Sequence, residues 1–230
     1  MEELDSAAGG DEYRRALTTV RAARNVFGLL ILLAVGIQLA SLVLVRFVDV
    51  LDETPGAATR PAAEPATQPS APASSAGAAR TWALALGWAM AAGKFTALAA
   101  GMLLVLTLMF AVKLALHGQT GGVAAFLSAF FWSLVLWVFL VPWQQALPGS
   151  TVLCGAMSNL GDLTKATARA TGPGAGWSDQ VFYYARFAAY PLLAGLLWLL
   201  VHVKYARGHR RAMGASVAEV SPVAAAEQKV

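Results

Sequence analysis

Four long apolar runs, three of them flanked on both sides by lysine or arginine, constrain this chain more than any other feature. The first lies between Arg24 and Arg46, the second between Lys94 and Lys113, and the fourth between Arg186 and Lys204. The third runs from Val123 to Val141 and ends at Pro142-Trp143. As helices, Lys94 to Lys113 measures about 28 Å and Arg186 to Lys204 about 27 Å. Both match a bilayer hydrocarbon core of roughly 30 Å, with the cations snorkelling to either interface. Composition agrees, with 57% hydrophobic and 13% charged residues, against about 45–50% and 25% in soluble domains. The predicted fold class is therefore all-α: a polytopic membrane protein with four transmembrane helices in a bundle and a disordered Pro/Ala-rich outer loop.

The predicted order begins with a cytoplasmic segment at 1–25, a first span at 26–48 and a disordered extracytoplasmic linker at 49–80. A long second helix follows at 81–116, with its membrane core at 94–113, then a short turn at 117–122 and a third span at 123–146. An outer loop at 147–180, a fourth span at 181–206 and a basic, then unstructured, tail at 207–230 complete it. A cleavable signal peptide does not fit the first run, since Phe27 to Val45 is uncharged for 19 residues where a signal core has about 7–15. The linker holds five prolines among Ala, Ser and Thr, and cannot bury enough apolar surface to offset chain ordering.

The net charge of +4 does not point to nucleic acid, because the cations sit at the ends of apolar runs rather than in a stripe. Arg14, Arg15, Arg21 and Arg24 precede the first span, and Lys204, Arg207, Arg210 and Arg211 follow the last. By the positive-inside rule both termini are cytoplasmic. Arg exceeds Lys, Ala is abundant, and Ile and Asn appear twice each. This bias suggests a high-GC bacterial genome, and so a multi-pass protein of the cell inner membrane. Its expected partners are the lipid bilayer and other membrane proteins or a second copy of itself.

Candidate functional residues are few. Ala85, Ala89, Gly93, Ala97 and Gly101 fall four apart, a small-residue pattern suited to helix packing. Leu98 and Leu104 lie off that stripe. Lys94 is an interfacial anchor if the crossing starts there, or a functional cation with Arg186 if the two line an anion path. No Asp or Glu occurs from 65 to 161, so a carboxylate partner for either must be Asp49, Asp52, Glu53, Asp162 or Asp179. The apolar residues of the outer loop, among them Met157, Leu160 and Leu163, suit it to capping Trp82 to Gly93. Pro191 is placed to kink the fourth helix by freeing the carbonyl of Phe187.

His117 and His202 end the second and fourth spans and are the weak candidates for axial haem ligands; His209 is a weak metal candidate. Cys154 is the only cysteine, which excludes an intramolecular disulfide, a CxxC pair and a cysteine-rich metal site. No catalytic motif occurs: no G-x-S-x-G, H-E-x-x-H or phosphate-binding loop. Within the apolar runs, Gln38, Ser41, Thr96, Thr107, Ser128 and Ser133 are read as interhelical hydrogen-bonding residues.

The expectation is thus a non-catalytic bundle acting as scaffold, anchor or accessory subunit, with no cofactor and no metal. A small transporter or channel subunit is the alternative, and a haem-binding or other membrane enzyme subunit the second. Reporter fusions after Arg211 will signal cytoplasm and those within residues 55–75 the outer compartment. A cytoplasmic signal from 55–75 overturns the topology.

Overall fold

A computed structural model describes residues 2–47, 73–118, 122–143 and 155–227. The expected linker up to residue 72, Cys154, and the candidate carboxylates Asp49, Asp52 and Glu53 lie outside the described residues. Every regular element described is helical. These are α1 (Glu2–Phe47), α2 (Ala73–His117), α3 (Val123–Leu140), α4 (Leu160–Thr171), α5 (Trp177–Tyr184), a π-helical turn (Ala185–Ala189) and α6 (Tyr190–Glu227). Four helical stretches are long and apolar enough to cross a membrane: Glu12–Phe47, Thr81–His117, Val123–Leu140 and Trp177–Gly214.

Proline placement sets several boundaries. None occurs between Pro72 and Pro142, and the Ala-rich sequence carries α2 back to Ala73, into what was expected to be linker. The resulting 45-residue helix is about 68 Å long, so a large part projects beyond a bilayer. α3 stops at Leu140, short of the expected 146, because Val141 takes an extended conformation (φ −64°, ψ 128°) ahead of Pro142. α6 continues to Glu227, through the tail expected to be unstructured.

α1 packs on α2 and α6, and α3 packs on the same two, which makes a ring in the order α1, α2, α3, α6. α4 lies against α1 and α2 at one end, here the cap end. The interior is built from alanines (Ala34, Ala97, Ala100, Ala111, Ala129, Ala194) interleaved with Leu104, Leu108, Phe126, Leu136 and Tyr205. Large apolar side chains such as Leu29, Leu33, Phe95, Phe110, Phe131 and Leu196 point outward. Small residues inside and large ones outside is the arrangement of a bundle in lipid, where close backbone approach drives packing.

The α2 stripe does not stay on one face. Four residues advance a helix by about 40° beyond a full turn, so sixteen rotate the stripe by about 160°. Ala85 is accordingly exposed and Ala89 half-buried, while Gly93, Ala97 and Gly101 are buried. Gly93 faces Ala34 and Ile37 of α1, with 3.7 Å of room for a Cβ; Gly101 meets Trp137 and Leu140 of α3 at 3.0 and 3.2 Å. Leu104, off the stripe by spacing, is 1% exposed and belongs to the core. α1 also meets α6 closely at a glycine the spacing did not single out: a Cβ on Gly28 would overlap the Trp198 indole.

Gly28→Val is therefore expected to cost about 1–3 kcal/mol by overpacking, and Leu104→Ala about 2–5 kcal/mol by leaving a cavity. Gly93→Ala should be nearly neutral. Unfolding midpoints in one detergent rank the three; a neutral Gly28→Val would mean that α1 and α6 do not meet there.

Candidate functional site

Just ahead of α4, residues 155–159 enter the bundle without helical structure. The N–H of Ala156 donates to the carbonyl of Phe139 (2.8 Å), and Ala156 and Met157 are buried. A Cβ on Gly155 would collide with the Val141 carbonyl, so this strand of backbone lies directly on the end of α3. Non-helical backbone among apolar helices needs partners for its polar groups. Gln38, in the middle of the first span and 4% exposed, supplies them twice. Its Nε2 donates to the Ser158 carbonyl (3.1 Å), and its Oε1 accepts from the Ser158 hydroxyl (3.0 Å).

The next residue, Asn159, is the N-cap of α4, yet its side chain makes no capping bond. Its Oδ1 instead accepts from Lys94 Nζ at 2.9 Å. Three residues further on, Asp162 pairs with Arg186 at 3.9 Å. The two cations singled out in the sequence therefore converge on one stretch, Asn159 to Asp162, from α2 and from the π-helical turn. Asp162 is one of the five carboxylates that were available for the pair. The ion pair is half-exposed on both sides, and pairs of that kind contribute at most about 1 kcal/mol.

Arg186 owes its position to Pro191. Proline cannot donate to the carbonyl four residues back, and its ring crowds that carbonyl. The chain answers with a wide turn at Ala185–Ala189, in which the Tyr190 N–H reaches the Ala185 carbonyl. α4, α5 and this turn surround an open cleft of about 310 Å³. Its charged lining is Asp162, Lys165, Arg169, Asp179 and Arg186, and its apolar side is Phe182, Tyr183 and Phe187. Beside it, the Tyr183 hydroxyl and Thr167 Oγ1 lie 3.1 Å apart. Lys94 does not line the cleft.

The remaining candidates are dispersed. His117 is exposed, in a shallow depression with Phe110, Lys113 and Leu116 of α2. His202 is half-buried on α6, with its ring tilted by 40° against Trp198 at 5.4 Å between centroids. They sit on diagonal helices in different surroundings, and the structure does not bring them together. No group of three or more metal-ligating side chains occurs among the described residues. Ser41, Thr107 and Ser133 donate to carbonyls of their own helices rather than across an interface. With alanine and glycine at the contacts, the nearest acceptor is a carbonyl of the preceding turn. The cap covers α2 only in part: Leu160 lies 3.8 Å from the Cβ position of Gly87 and Leu163 packs near Met90, while Trp82 and Trp88 are exposed.

Fold and site together define a multi-pass α-helical membrane protein with a capped bundle. No protein-family model matches the chain, and neither a curated protein nor a solved structure is similar to it.

Gln38→Leu should cost about 1–3 kcal/mol for each buried polar group of the 158 segment it leaves unpaired. A cycle with Ser158→Ala, read as unfolding free energy in detergent, should show coupling between the two positions. Strict additivity would mean that the segment is satisfied some other way.

Proposed function

We propose that this chain is a non-catalytic membrane bundle that serves as scaffold, anchor or accessory subunit, and that its cap is the part presented to a partner. One observation carries the reading: Lys94 and Arg186 both hold the Asn159–Asp162 stretch, so they act on the placement of α4. Cations engaged in this way position a surface. The large apolar side chains on the outside of α1, α2 and α3 supply faces for lipid or for a neighbouring membrane protein. The Arg- and Ala-rich composition supports residence in a bacterial inner membrane, and the cation clusters next to the first and last spans support cytoplasmic termini with the cap outside.

The cleft supports a second reading, a small transporter or channel subunit. Three cations, two carboxylates and an aromatic side suit a small anionic or zwitterionic solute. Here Lys165, Arg169 and Arg186 take the role that the sequence reading gave to Lys94 with Arg186.

Purification from the host in mild detergent should recover a membrane partner or further copies of the chain in fixed ratio. A Lys94→Met, Arg186→Met variant, with the cap loosened, should release it while the bundle stays folded. A variant that keeps its partner but loses solute flux in proteoliposomes would instead favour the cleft.

A further inference from the structure

At the end of the bundle away from the cap, α1 and α6 enclose polar side chains that the scaffold reading does not use. The Arg24 guanidinium lies over the Tyr205 ring, with Cζ 4.3 Å from the centroid. His209 stacks on the same ring (6.1 Å, 24° between planes), and Phe126 of α3 meets it edge-on at 5.2 Å. Arg24 is 5% exposed, Tyr205 0% and His209 9%. One guanidinium nitrogen of Arg24, Nη2, donates to the side chain of Asn25. The other terminal nitrogen, Nη1, the Tyr205 hydroxyl and His209 Nδ1 are buried and have no hydrogen-bond partner among the described residues.

Three orphaned polar atoms on three touching side chains share one cause. A buried guanidinium loses its hydration, and an aromatic face recovers only part of that loss. Among the described residues no carboxylate forms an ion pair with Arg24. A cluster with surplus donors and charge of one sign lacks an anion.

Its depth indicates which one. Arg24 is the last charge before the uncharged run from Phe27 to Val45, so it lies where hydrocarbon gives way to headgroups. The abundant anion at that level is phosphate. A guanidinium matches phosphate oxygens with parallel N–H donors, and a phenol O–H and an imidazole N–H add further donors. Arg24 and His209 keep a little exposure and Tyr205 has none; the three polar atoms are themselves buried, so a ligand reaches them only when the side chains around them part. We propose that Arg24, Tyr205 and His209 form a binding site for a phosphate group, and that the phosphate is that of a phospholipid headgroup. The proposal is independent of the scaffold reading and of which leaflet this end occupies.

The test uses the full chain in mild detergent, stripped of lipid. Thermal unfolding is followed with phosphatidylglycerol in mixed micelles, with an uncharged diacylglycerol of the same chains, and with inorganic phosphate alone; native mass spectrometry counts retained lipid. Phosphatidylglycerol should raise the midpoint and remain bound, while diacylglycerol and inorganic phosphate leave the midpoint unchanged. A rise with inorganic phosphate alone would keep the phosphate site but assign it to a soluble ligand, overturning the lipid assignment. Arg24→Lys, which keeps the charge and loses the fork, and Tyr205→Phe, which removes one oxygen, should each weaken retention about tenfold. An equal rise with diacylglycerol, no rise with any ligand, or undiminished retention in both variants would overturn the proposal. Should Arg24→Lys fail to fold, Tyr205→Phe decides alone. Higher stability of that variant in stripped detergent with lipid retention unchanged would show that the hydroxyl is only an unpaired group.

Discussion

The cap end depends on the pair of hydrogen bonds between Gln38 and Ser158. Backbone outside a helix is costly among apolar helices unless each polar group finds a partner. Gln38 offers a donor and an acceptor on one side chain, and Ser158 presents a carbonyl and a hydroxyl to match. With the segment held there, Asn159 comes within reach of Lys94, α4 starts at Leu160, and Asp162 falls opposite Arg186. An amide in the middle of a span thus sets where a surface helix begins.

The two ends of the bundle handle buried polarity differently. At the cap end the amide and hydroxyl groups satisfy one another, and the cations meet oxygen acceptors at the edge of α4. At the other end, Arg24 lies over the Tyr205 ring with one nitrogen on the Asn25 side chain, and three polar atoms remain unmatched. Between them the interior is nearly free of polar side chains, with hydroxyls turned back on their own helices. Packing there rests on short side chains: the Trp198 indole fits only because Gly28 has none, and α3 approaches α2 at Gly101. The specificity of the helix arrangement lies at a few such contacts, since the apolar surface itself does not distinguish one neighbour from another.

The four apolar runs and their flanking cations were legible from the sequence, because length and charge placement need no knowledge of neighbours. The break before Pro142 acts through the residue beside it, yet the expected span ran on to 146. The four-residue stripe on α2 was legible only in part, since its rotation around the helix sends Gly93 to α1 and Gly101 to α3. Asn159, ahead of the Leu160–Thr171 helix, carries an ordinary N-cap signature, but nothing local shows that its oxygen serves Lys94 instead of its own backbone. Gln38 was visible as a polar residue in a span, with no indication that its partner lay 120 residues away.

What the sequence determined by itself is the solvent: four helical stretches long and apolar enough to cross a membrane suit a medium from which water is absent. Tertiary structure alone decided which polar residues meet. Lys94 and Arg186 are far apart in the chain and come to one short helix because a non-helical segment descends between their elements. Arg24, Tyr205 and His209 meet because α1 and α6 run antiparallel with Gly28 against Trp198. Neither meeting is encoded in spacing, since both depend on how helices cross, and close contacts between side chains on different helices set that crossing.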